Sequence, residues 1–172
     1  MMSTIDILRT PRVELAGGQI EFLTDVGQIA LVTDATRASV DASRLLSDRM
    51  VAAWSNENWC CLVGFRASEV IVAVPSEGRI ENAGQLDRLD LEDAYDPGGL
   101  HRVEFKPLEQ DDVLLIHEFG VARISPTAGI VWQRTHRDLT ARLERIDEDR
   151  AVLHAESGSF AYDLRDGRDV RL

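Results

Sequence analysis

The chain has 172 residues, 30 acidic against 19 basic side chains, a formal charge of −11, and 44% hydrophobic residues. The apolar share is too high for a disordered chain, and the length suits one domain with a real core. The acid excess weighs against a partner held through phosphate neutralisation, so neither nucleic acid nor a membrane surface is expected.

Residues 1–10 lack a basic start followed by an apolar core, so no secretory signal is expected there. The longest apolar runs, Val70 to Val74 and Val113 to Ile116, are strand-length, whereas a membrane span needs about 20 apolar residues. Two adjacent cysteines, Cys60 and Cys61, make no disulfide framework. A soluble protein of the reducing cytoplasm is therefore expected.

Residues 1–11 read as a poorly specified leader. Gln19 to Leu23 and Gln28 to Thr33 read as two short strands, and the second, apolar on both faces, belongs in a sheet interior. Ala42, Leu45, Leu46, Met50, Ala53 and Trp54 follow helical spacing, which predicts one amphipathic helix near 40–54, with Ser39 or Asp41 at its start. Beyond it the chain is strand-rich. Trp59 to Phe65 and Glu69 to Val74 form a hairpin turning near Arg66 to Ser68, with β-branched Val and Ile favouring the pleat. Residues 87–99 form a polar interruption, after which short strands alternate with turns to the C-terminus. The tips Glu109-Gln110-Asp111-Asp112 and Asp147-Glu148-Asp149-Arg150 are charged, and glycines at 120, 129, 158 and 167 mark corners.

Those corners recur. Val113 to Gly120 with Gly129 matches Ala151 to Gly158 with Gly167, and one offset separates both pairs of glycines. A fainter copy runs from Val70 through Gly78 and Gly84. Four short strands in about 40 residues resembles one blade of a β-propeller. Similar β-meander hairpins would look the same without a true repeat. The fold expected is mainly β: antiparallel, meander-like sheets arranged as a sandwich, a barrel or a partial propeller, with one packed helix. Residues 1–172 are expected to form a single domain, with a division into a β-plus-helix part 12–57 and a β-rich part 58–172 as the alternative.

Chemistry-bearing motifs are sparse. The sequence contains no phosphate loop, dinucleotide fingerprint, nucleophile elbow or zincin pattern. His101, His117, His136 and His154 are spread widely along the chain, without the close spacing of metal ligands. Of these, His117 and His154, beside Glu118 and Glu156, form the metal-ligand alternative, that of a metal-assisted hydrolase. Cys60 and Cys61 face opposite ways on an apolar strand and read as small buried hydrophobes. No cofactor is expected. The acidic run Asp87, Asp90, Glu92, Asp93 and Asp96 lacks the spacing of a calcium loop and suits a docking surface for a basic partner. Trp132 joins it as a candidate interface anchor, with burial in the core as its other reading. The last third carries many arginines, but interleaved Asp and Glu point to cross-strand ion pairs. The function expected is a non-enzymatic binding or regulatory module acting through an unknown, basic protein partner, with self-association as one form. A small metal-assisted hydrolase and a small-ligand carrier are the alternatives.

Overall fold

The computed structural model describes residues 1–87, 102–136, 138 and 140–172. Its strands build four antiparallel sheets, and none closes into a barrel. The chain divides into two compact units. Among the described residues the first comprises 1–86 and 126–129, and the second comprises 87, 102–125 and 130–172.

In the first unit, β1 (Met2–Asp6) is followed by a meander of β2 (Arg12–Leu15), β3 (Gly18–Leu23), β4 (Gln28–Val32) and β5 (Arg37–Asp41). As its two-sided apolar pattern requires, β4 is an interior strand with Ile29, Ala30 and Leu31 buried. The single α-helix of the described residues, α1 (Ser43–Leu46), comes next. It is only four residues long. The expected helix near 40–54 is therefore corrected in extent: Met50–Ser55 is strand β6, and Arg37–Asp41 is already β5.

Local chemistry explains the break. Asp48 turns its carboxylate to the backbone N–H groups of Arg66 (2.9 Å) and Ala67 (2.7 Å), and Arg49 takes a left-handed φ of 62°. The Arg49 guanidinium bonds the Asp6 carboxylate at 2.9 Å. Helical spacing would turn Val51 and Ala52 outward, yet both are buried, because β6 lies between β1 and the next strand. The helix N-cap is Ala42, without a side-chain cap; Ser39 and Asp41, expected there, belong to β5, although Asp41 Oδ1 accepts from the Ser43 N–H at 3.0 Å. A second acceptor comes from far along the chain. Glu69, buried, accepts from the Leu45 N–H (3.0 Å) and from the Asn82 amide (2.6 Å).

The second sheet runs β1, β6, β7 (Cys60–Gly64), β8 (Glu69–Val74) and β9 (Arg79–Gln85). Every residue of β7 and β8 is buried, matching apolar runs interrupted only by Glu69 at the start of β8. Residues 1–11, read as a leader, contribute β1, which pairs antiparallel with β6 from Met2 opposite Trp54 to Asp6 opposite Met50. Ile20, Ile29, Leu31, Leu45, Val51, Leu62 and Ile71 meet in one core beneath both sheets.

The second unit holds β10 (Val103–Pro107), β11 (Val113–His117), β12 (Gly120–Ser125) and β13 (Gly129–Thr135) as one meander, with the 126–129 turn assigned to the first unit. The other meander is β14 (Arg142–Asp147), β15 (Arg150–Ala155), β16 (Gly158–Asp163) and β17 (Asp169–Val170). Its core gathers Leu114, Ile116, Val121, Trp132, Leu153, Tyr162 and Leu164.

The similarity marked by the glycines has a structural counterpart. In one meander His117 stands opposite Gly120 and Val113 opposite Ile124. At the glycines' own offset, the next has Ala155 opposite Gly158 and Ala151 opposite Tyr162. The fainter copy is out of phase, because β8 is the third strand of its four-strand meander whereas β11 and β15 are second. The four meanders instead begin at Arg12, Met50, Val103 and Arg142. The interval from Met50 to Val103 is longer than the other two and contains residues 88–101.

Among the described residues no helix is long and apolar enough to cross a membrane.

Candidate functional site

Of the sequence-derived acidic run, only Asp87 is described. It is exposed, with its N–H donating to the Gln133 side chain at 2.7 Å. Asp90, Glu92, Asp93 and Asp96 lie outside the described residues. Trp132 is 7% exposed. Its indole N–H donates to the Leu164 carbonyl at 2.9 Å, and its ring lies against Gly167, so the side chain is a core element of this unit.

His117 and His154 stand in different sheets of the second unit. His117, on β11, is buried, and its Nδ1 accepts from the Phe119 N–H at 3.3 Å. His154, on β15, is exposed, and its Nδ1 shares a hydrogen bond with the Ser159 hydroxyl at 3.0 Å. Among the described residues no three His, Cys, Asp or Glu side chains gather as a metal cluster.

His117 neighbours a different histidine. His136 is 4% exposed, and its Nε2 meets the His117 carbonyl oxygen at 3.0 Å while its Nδ1 has no partner among the described residues. Burial pushes this imidazole down to about 4. The hydrogen bond to His117 opposes burial, and the Arg102 charge reinforces it. Cys60 and Cys61 are buried free thiols. Burial pushes Cys60 up to about 12 and raises Cys61 as well, so neither is poised as a nucleophile.

A site the sequence reading did not assemble lies at the two charged tips. A cavity of about 480 Å³ opens between the β10–β11 and β14–β15 turns. The first turn is tight: Leu108 donates its N–H to the Asp112 carbonyl at 2.8 Å, and Gln110 and Asp111 both take left-handed φ, 63° and 66°. Such backbone is costly for residues other than glycine and is kept where the surroundings enforce it.

The enforcement comes from a buried ion pair. Arg123 Nε donates to the Asp112 carboxylate at 2.6 Å, and its Nη1 donates to the Leu164 carbonyl at 2.9 Å. Leu164 in turn donates its N–H to the Asp149 carbonyl at 2.7 Å, which ties the second tip to the end of β16. Removing either partner of such a pair leaves an uncompensated, largely buried charge.

The apolar side chains of Leu108, Ile146 and Leu164 line the cavity. Its rim is acidic, formed by Glu109, Asp147, Glu148 and Asp149. Asp147 is spent on Arg145 and Arg150, each at 3.2 Å, and the lining Arg165 is spent on Asp163 at 3.0 Å. Among the described residues, Glu109 and Glu148 make no ion pair, although both are exposed. The signal in the sequence was the charged-tip repeat itself, since Glu109 and Asp147 are separated by the same offset as the glycines. What the sequence left unsaid was that the two tips meet.

The sequence matches no protein-family model and no curated protein sequence. Among solved structures it is similar to one titled "The crystal structure of BamB from Moraxella catarrhalis", at 14% identity and a TM-score of 0.44. That likeness covers 98% of this chain and 50% of the other, so this chain spans about half its length.

Proposed function

We propose that this chain is a protein-binding module, and that the cavity between the two charged tips receives a basic side chain of its partner. The observation that carries this is the pairing of apolar lining residues with three carboxylates, Glu109, Glu148 and Asp149, that make no ion pair among the described residues. Lysine and arginine have a complementary build: an aliphatic stem that packs on apolar surface and a cationic head that stays at the rim. Paired carboxylates such as Asp112 and Asp163 add no net attraction, whereas Glu109, Glu148 and Asp149 leave a field that steers a cation inward.

The test is fluorescence anisotropy with labelled peptides in which one Lys or Arg is flanked by leucines. Each is matched by a peptide carrying norleucine instead. The basic peptides bind, and affinity falls with added salt. The triple variant E109Q/E148Q/D149N loses most of that affinity while keeping its melting temperature. Equal binding by the triple variant, or by the norleucine peptides, overturns the reading.

A further inference from the structure

We propose that a second cavity of the same unit, framed by Arg102, Arg142 and His154, is a binding site for a small oxyanion: inorganic phosphate or the phosphate group of a larger ligand. It is independent of the acidic cavity and shares no residue with it. Arg142 opens β14 and stands directly opposite His154 on β15 in the sheet register. Side chains at directly opposite positions of an antiparallel pair share one face, about 5 Å apart. Arg102 is brought to the same place by its guanidinium, which donates to the carbonyl of Ala141, the residue preceding Arg142. Two guanidiniums and an imidazole thus surround a cavity of about 450 Å³, within the range of small-molecule sites.

What distinguishes these arginines is that they are unspent. In an acidic chain the arginines of this unit are largely committed to carboxylates, as Arg123 is to Asp112, Arg145 to Glu144 and Asp147, Arg150 to Asp147, Arg165 to Asp163 and Arg168 to Asp166. Among the described residues, neither Arg102 nor Arg142 has a carboxylate partner. His154 engages Ser159 through Nδ1, which orients the ring and leaves Nε2 for a ligand.

The neighbouring acids are accounted for. Asp138 accepts from the Thr140 hydroxyl (2.6 Å), the Thr140 N–H (2.9 Å) and the Ser157 N–H (3.0 Å), so its carboxylate ties together the two turns beneath the site. Thr140, on the cavity wall, is further held by the Glu156 N–H at 3.0 Å. Among the described residues Glu156 is the one carboxylate in the lining, and it opposes an anion there. Two permanent positive charges against that carboxylate favour a planar or tetrahedral oxyanion, which guanidinium forks bind two oxygens at a time.

The test is calorimetric titration of the full chain with inorganic phosphate and with pyrophosphate at low ionic strength. Phosphorus NMR line widths follow the same titrations, and circular dichroism confirms the fold of each variant. Wild-type protein binds saturably. Arg142→Gln weakens binding at least about fivefold. Glu156→Gln strengthens it about twofold or more, because removing a like charge relieves repulsion. Arg134→Gln, an exposed arginine bound to the carbonyls of Gln133 and Asp166, leaves it unchanged. Saturation by phosphate assigns the free ion as sufficient, and saturation by pyrophosphate alone assigns a larger phosphate-bearing ligand. Absence of saturable binding below about 10 mM, or equal weakening by Arg134→Gln and Arg142→Gln, overturns the proposal.

Discussion

His136 is expected to make this protein lose stability in mild acid, well before its carboxylates protonate. In the folded chain the imidazole is buried and titrates near 4, whereas an exposed histidine of the unfolded chain titrates near 6.5. The sign follows from proton counting. Above pH 6.5 both states hold this ring neutral and the group is silent. Between 6.5 and 4 the unfolded chain takes up a proton that the folded chain refuses, so stability falls as pH falls. Below 4 both are protonated and the loss saturates.

A folded pKa lower by about 2.5 corresponds to a total loss of about 3 kcal/mol, of which about 2 kcal/mol is already felt at pH 5. That is a large share of the roughly 5–15 kcal/mol typical of a domain. The carboxylates held below their usual range act later. Asp6 is lowered by Arg49, Asp41 by Ser43, Asp138 chiefly by Thr140, and Asp163 by Arg165. Each contributes stability that is present above about pH 4 and lost only as pH falls through its lowered folded value. The assay is urea denaturation at intervals from pH 7.5 to 4.5, on the wild type and on His136→Gln, whose amide can donate to the His117 carbonyl without titrating. The wild type loses about 2 kcal/mol between pH 7 and 5, and the variant loses much less. Parallel curves for the two proteins would falsify the assignment of that loss to His136.

Gly167→Ala should destabilise by about 2–4 kcal/mol, because φ is +70° there and an added Cβ would lie 2.6 Å from the Trp132 ring; unchanged denaturation with unchanged tryptophan emission would refute it. Glu69→Ala, which strips the acceptor from the Leu45 N–H and the Asn82 amide, should cost about 2–3 kcal/mol in urea melts, and a cost under about 0.5 kcal/mol would contradict the role given to this buried carboxylate. Cys60 and Cys61 should resist a thiol reagent in the native protein and react as it unfolds, so prompt labelling under native conditions would show that they are not sealed in the core.

Strand by strand, legibility tracked how much of the signal was local. The runs at β8 and β11 are apolar, β-branched or both, flanked by turn residues, and they became strands that are buried throughout. At β6 the residues Met50-Val51-Ala52-Ala53-Trp54 carry helix-compatible spacing, and no local feature outweighs it. Their strand conformation comes from the strands on either side, β7 just ahead in the chain and β1 far back at the N-terminus. The sites divided the same way. Glu109 and Asp147 were visible as charged tips, Arg142 as one of the C-terminal arginines expected to pair with interleaved acids, and His154 as a member of the metal-ligand alternative. Opposition across a turn or a sheet was not written into either.

Composition and turn chemistry alone determined that this acidic chain folds as antiparallel β-meanders, because apolar runs and glycine corners act within a few residues. The tertiary structure decided which strands pair, that one helical turn gives way to a strand, and where charge is left unspent. Those outcomes depend on groups distant in sequence competing for the same hydrogen bonds and ion pairs. Asp48 stops the helix by bonding the β7–β8 corner, and Asp112 quenches Arg123 while Glu109 and Glu148 stay available at the rim.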